Sequence, residues 1–173
     1  MEKILEFWFH TLTPADWYKK SDVLDAKIKE KFETTYYQVV AGETADCRDT
    51  ASGRLAEIIV LDQFARNMFR GTRESFAADH LALALAQEAV RSGDDKRLDI
   101  AQRVFLYMPY MHSESVRVHE KALELFRETP NLVYEVKHKA IIDQFGRYPH
   151  RNEILGRLST PQEIDWMKEN SGF

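Results

Sequence analysis

Apolar residues recur along this chain three and four positions apart, the spacing that gathers them on one face of an α-helix at about 100° per residue. No stretch carries a strong strand signal. The densest helical pattern runs from Gly53 to Gly71, GRLAEIIVLDQFARNMFRG. Its Leu55, Ile58, Val60, Leu61, Phe64, Ala65, Met68 and Phe69 cover well over half the circumference, as expected of a helix in the middle of a domain. The polar residues of the same segment, Asp62, Gln63, Arg66, Asn67 and Arg70, fall within roughly 140° of one another. One polar stripe therefore runs down a largely buried helix. Buried Asp and Arg require partners. Either the stripe is satisfied internally, with Asp62 bound to Arg66 and Gln63 to Asn67, or it lines a cleft.

The same periodicity places further helices in order. Glu2 to His10 reads as a short helix anchored by Ile4, Leu5, Phe7, Trp8 and Phe9, and Thr13-Pro14 as a turn or helix start with Thr13 as N-cap. Trp17 and Tyr18 read as packing aromatics. A long amphipathic helix follows from Ser21 or Asp22 through Ala41, with Val23, Leu24, Ile28, Phe32, Tyr36, Val39 and Val40 on its apolar side and Gly42 as its stop. Residues 43–52 form a loop in which Thr50 or Ser52 can cap the central helix. Ser75 to Arg91 reads as a helix ended by Ser92-Gly93, with Asp79 suited to the helix dipole in its first turns. The charged DDKRLD segment reads as a solvated loop. A shorter helix through Ala101 to Tyr107 is expected to stop at Met108-Pro109. Ser113 or Ser115 then caps a helix that turns His119 to its buried side. His112 and Glu114 stand at its start, as caps or as a base or ligand pair. A helix through Ile142 and Phe145 ends at Gly146, and Ser159 or Thr160 with Pro161 and Glu163 forms a capping box for the last one.

These elements predict an all-α chain: a single domain over residues 1–173, with antiparallel helical hairpins stacked as a bundle or short superhelix of roughly seven to nine helices. Composition changes the picture little. The 173 residues suffice for one full core, and the net charge of −4 argues against nucleic acid as the main partner. Cys47 is the only cysteine, so no internal disulfide can form and a reducing cytoplasm is expected. No segment approaches the ~20 apolar residues of a membrane span, and the N-terminus lacks a secretory pattern. Oligomeric state is not legible.

Leu61-Asp62-Gln63-Phe64-Ala65-Arg66 is echoed by Ile142-Asp143-Gln144-Phe145-Gly146-Arg147, and an Arg-Asn pair follows each, which suggests an internal duplication. The words ILEFWF at 4–9, GRLAEIIVLDQFARNMFRGT at 53–72, RVFLYMPYMHSE at 103–114, and FGRYPHRNEILGR with the Ser159-Thr160 beyond it resemble those of a bacterial family, domain of unknown function 924. The resemblance covers nearly the full chain and implies a tetratricopeptide-like helical fold. It brings no activity. The chain departs from the family pattern where Ala65 stands in place of a proline, which should let the central helix run more regularly, and where His119 stands in place of a glutamine.

Brought together, the polar words supply a ligand-binding set of Asp62, Gln63, Arg66, Asn67, Tyr107, His112, Arg147, His150, Arg151 and Asn152, with Glu114 beside them and Tyr110 and Tyr148 as flat contacts. Three readings follow. A binding module would hold a small anionic molecule or a peptide through its arginines. An enzyme of the hydrolase type would draw on His112, Glu114, His150 and Asp62 for acid–base work, or use the same cluster around a metal, although HExxH, GxSxG, P-loop and paired CxxC motifs are absent. A purely structural network would use the same groups as buried ion pairs. No cofactor or metal-ligand pattern stands out.

Overall fold

The computed structural model describes residues 1–170. Helix α1 (Glu2–Leu5) passes directly into a π turn, Glu6–Thr11, and α2 (Pro14–Trp17) is a single turn behind Thr13. In α3 (Asp22–Val40) the Ser21 hydroxyl caps the helix by accepting the Leu24 N–H at 3.3 Å. The central helix is built of α4 (Ala51–Ile59), a π turn at Val60–Phe64 and α5 (Ala65–Met68). Thr50 caps it by accepting from Gly53 N–H at 3.0 Å. Then come α6 (Asp79–Ser92), α7 (Ile100–Met111), α8 (Val116–Phe126), α9 (Leu132–Phe145), α10 (Asn152–Leu155) and α11 (Pro161–Glu169). Among the described residues no strand occurs, as the periodicity predicts, and no helix is long and apolar enough to cross a membrane.

The central helix is the hub. It packs against α3 on one side and against α6 and α7 on others, while α6 packs on α7, α7 on α8 and α8 on α9. Leu55, Ile58, Ile59, Val60, Leu61, Phe64 and Ala65 are completely buried, which accounts for the nearly all-apolar circumference. Around Phe64 the rings of Trp8 (5.5 Å) and Phe32 (4.8 Å) gather, and Trp8 meets Phe105 at 5.4 Å. These aromatic pairs add to the burial of large apolar area at the core's centre. The main core spans α1 to α8. A small second cluster of Ile141, Ile142 and Tyr148, with Phe145 and Trp166 against it, serves the C-terminal helices.

Several expectations need correction. Helix α7 does not stop at Met108: it runs through Pro109 to Met111, and His112 N–H still reaches Met108 O at 2.9 Å. Proline so near a helix end forfeits one bond, and burial of Val104 through Met111 holds the last turn in place. Val23 is 81% exposed and Tyr18 63%, so neither packs in the core, while Trp17 does, donating from Nε1 to Trp8 O at 2.8 Å. Asp94 and Asp95 are buried rather than solvated: Arg54 meets Asp94 at 3.0 Å and the Tyr107 hydroxyl donates to Asp95 at 2.7 Å. Ser115, not Ser113, is the N-cap residue of α8, without a side-chain cap bond. The two echoed words also lie in unlike places. Asp62 is completely buried, while Asp143 is exposed and pairs with Lys139 at 2.7 Å.

Candidate functional site

The site begins with the π turn. Ala65 N–H bonds to Val60 O, five residues back, so the helix carries one extra residue in this turn instead of running regularly as expected. A proline at 65 would have no such N–H. Within the turn sits Asp62, with both oxygens engaged. His112 Nδ1 lies 2.7 Å from Oδ1, Arg66 Nη1 lies 3.1 Å from the same oxygen, and Gln63 Nε2 donates to Oδ2 at 2.6 Å. Arg66 extends the chain by donating to Asp79 through Nη1 at 2.9 Å and Nη2 at 3.0 Å, a bidentate pairing. Arg151 Nη1 shares Asp79 at 3.3 Å. The result is a continuous run: His112, Asp62, Arg66, Asp79, Arg151.

Four separate elements deliver these groups: the central helix, the first turn of α6, the C-cap of α7 and the Pro149–Arg151 turn. The last depends on Gly146, which ends α9 with φ of 67°. That left-handed geometry favours glycine and swings the following residues back over the helix ends. Arg151 is then sandwiched, its guanidinium 4.7 Å from the Phe76 ring centre and 4.5 Å from that of Tyr148. Tyr148 is itself pinned. Its hydroxyl donates to Met111 O at 2.5 Å and lies 3.2 Å from His119 Nε2, while Glu114 accepts its backbone N–H at 2.8 Å.

Electrostatics set the protonation states. Burial pushes the Asp62 carboxyl up, but Arg66 and His112 together outweigh it and hold the group well below the ordinary carboxylate range. Burial and the Arg66 charge push His112 down, against the pull of Asp62, so its imidazole is neutral at pH 7. Asp62 then selects the tautomer with the proton on Nδ1, which leaves the Nε2 lone pair for the surroundings. Burial brings His138 and His150 down to about 4, with Arg151 reinforcing the effect at His150.

Two hollows open on this run. The first, of about 360 Å³, is lined by Arg66, Arg70, Arg151, His112, His138 and His150, together with Phe76 and Tyr148. Its only charged side chains are the arginines Arg66, Arg70 and Arg151. The second, of about 270 Å³, shares Phe76, His112 and Arg151 with it and adds Asp79, Glu114 and Arg157. Arg151 is 6% exposed, yet its Nε has no hydrogen-bond partner, and His150 Nδ1 is likewise buried and unpartnered.

Of the residues singled out in the sequence, Asp62, Gln63, Arg66, His112, His150 and Arg151 meet here, with Glu114 at the rim. Glu114 is committed to Arg157, at 2.6 and 3.0 Å, and to the Tyr148 backbone. The others lie elsewhere. Tyr107 is turned toward Asp95 and packs on Phe126 at 5.7 Å, because α7 presents it on the face opposite His112. Arg147 pairs with Glu163 at 2.6 Å and with Leu158 O, so it braces α11. Asn152 donates to Ser159 at 3.0 Å. Asn67 bonds Asp25 at 2.7 Å rather than Gln63, beside Arg70, which reaches the same carboxylate at 2.6 Å. His119 is a satisfied core residue between Glu135 (2.7 Å) and Ser113 O (2.8 Å). Sequence reasoning missed Asp79, Phe76 and His138 as site residues. Asp79 fits its helix dipole so well that nothing in the local pattern marks it for a second role.

Among the described residues no group of three or more His, Cys, Asp or Glu is placed to hold a metal ion. Fold and site together define an all-helical protein with a buried Asp–His–Arg run that opens on a basic hollow. The chain belongs to a bacterial family of proteins of unknown function, DUF924, whose model matches residues 4–171. It is similar to the solved structure of the protein of unknown function ATU0120 from Agrobacterium tumefaciens, at 34% identity and a TM-score of 0.93, over 97% of this chain and 96% of that one. No curated protein matches it.

Proposed function

We propose that the protein is a binding module of the helical-repeat kind, whose basic hollow takes a small anion. One observation carries this reading: Arg151, a nearly buried arginine whose Nε has no hydrogen-bond partner, lines a cavity whose only charged side chains are the guanidinium groups of Arg66, Arg70 and Arg151. A buried donor without a partner costs about 1–3 kcal/mol, and a carboxylate or phosphate oxygen is the natural acceptor for guanidinium. Phe76 and Tyr148 hold that guanidinium flat, so little side-chain freedom remains to be lost on binding. Titration calorimetry and thermal melts with inorganic phosphate and acetate test the proposal. At least one of them is expected to raise the melting temperature of the native protein by linkage and to lose that effect in Arg151→Met. Shifts absent for both anions, or undiminished in the variant, overturn it.

The Asp62–His112 pair supports a second reading as an enzyme. A carboxylate 2.7 Å from Nδ1 orients the ring and stabilises the imidazolium, and Nε2 is then a general base at the meeting of the hollows. Carbethoxylation by diethyl pyrocarbonate, mapped by peptide mass, reads this directly. His112 is expected to keep its reactivity to lower pH than free histidine, which slows markedly as it protonates. An inert His112 sinks the second reading and leaves anion binding standing.

A further inference from the structure

A third hollow, of about 330 Å³, lies beside the basic one, and His112 and His138 line both. Its remaining walls are Tyr18, Met108, Met111, Asn131 and Tyr134, so no carboxylate, lysine or arginine faces it. Two of those walls are unusual for their position. Tyr18 and Tyr134 are 63% and 53% exposed and stand with their flat rings at a cavity floored by two buried methionines. Methionine adapts its shape to what it meets, and tyrosine offers a flat apolar body with a polar tip. Apolar surface left open in this way marks a place where another apolar group belongs.

From the shared histidine wall we infer that the anion bound here is amphiphilic: a carboxylate or phosphate head in the Arg151 hollow, joined to a flat apolar group that lies between Tyr18 and Tyr134 over Met108 and Met111. The inference rests on the anion-binding reading and extends it to the other end of the molecule. His112 then lies at the linkage between head and ring, with Nε2 beside it. A single inorganic anion would leave the aromatic hollow unused, and a purely apolar molecule would leave the arginine-lined hollow unused.

The test compares two matched pairs by titration calorimetry on the intact chain, inorganic phosphate against phenyl phosphate and acetate against phenylacetate. In at least one pair the ring is expected to tighten binding about tenfold, in keeping with burial of a phenyl surface. Tyr18→Ala and Tyr134→Ala remove exposed side chains and leave the folded core intact. They are expected to abolish the gain from the ring while the affinity for the parent anion stays unchanged. If the parent anions bind and the ring adds nothing in either pair, the amphiphilic assignment is overturned and simple anion binding survives. If the ring helps and both tyrosine variants keep the whole gain, the ring sits elsewhere and the assignment is again overturned. Failure of all four probes to bind removes both proposals together.

Discussion

At the scale of single residues, the weight of the site falls on Asp62. Completely buried, it balances Arg66 and orients His112, so its neutral isostere leaves a partly buried guanidinium short of one counter-charge. Asp62→Asn is expected to cost about 3 kcal/mol of stability, the usual penalty for breaking a buried pair from one side, as read from the urea midpoint. A loss below about 1 kcal/mol would mean that Asp79 alone suffices for Arg66. The histidines add a pH dependence. His138 and His150, held down to about 4 by burial, bind fewer protons folded than unfolded between about pH 4 and 6.5. Stability therefore rises with pH across that window and falls on acidification. Allowing for their partial exposure, the pair should contribute a loss of about 2 kcal/mol by pH 4. Chemical denaturation at pH 7, 5.5 and 4.5 checks the slope, which should flatten in His138→Phe with His150→Asn.

At the scale of elements, the central helix is held at its start by a close approach and in its middle by the π turn. A Cβ on Gly53 would lie 1.8 Å from Cys47 O, a backbone atom that cannot move without disturbing the Ala45–Asp49 turn. Gly53→Ala should therefore destabilise by about 3 kcal/mol, although alanine is the better helix former. The π turn leads to the opposite expectation at Ala65. Proline inside an ordinary helix costs about 3 kcal/mol, but here only the long-range bond to Val60 O is lost and the helix already opens at that point. Ala65→Pro should cost less than half the ordinary figure by thermal melt. A full penalty would show that the turn depends on that bond.

These elements also mark the limit of what the sequence disclosed. Periodicity located every long helix, because apolar spacing is a local property, and Thr50 and Thr160 were recognisable as caps for the same reason. The π turn left no trace in the spacing of Val60 to Phe64, and the end of α7 was misplaced because burial outweighed the proline. Within the site, Asp62, Arg66, His112, His150 and Arg151 stood out as charged groups in otherwise apolar or repeated words. Asp79 and Phe76 did not, since what makes them matter is the arrival of Arg151 from far along the chain.

At the scale of the whole molecule, the apolar core is uneven. One large cluster joins α1 to α8, and the C-terminal helices keep a small one of their own. Much of what ties the two is polar: Glu114 to Arg157 and to Tyr148, Tyr148 to Met111 O, His119 to Glu135, and Arg151 to Asp79. Hydrogen exchange should therefore find α10 and α11 opening at lower free energy than the central helix. Glu114→Gln should widen that gap, whereas equal protection across the chain would contradict it.

Because Arg151 is carried on the smaller side of this seam and His112 on the larger, any guest touching both would act as a clasp. Occupancy would then be felt as a quieting of the helices from α9 to α11, and those helices would in turn set how long the guest stays.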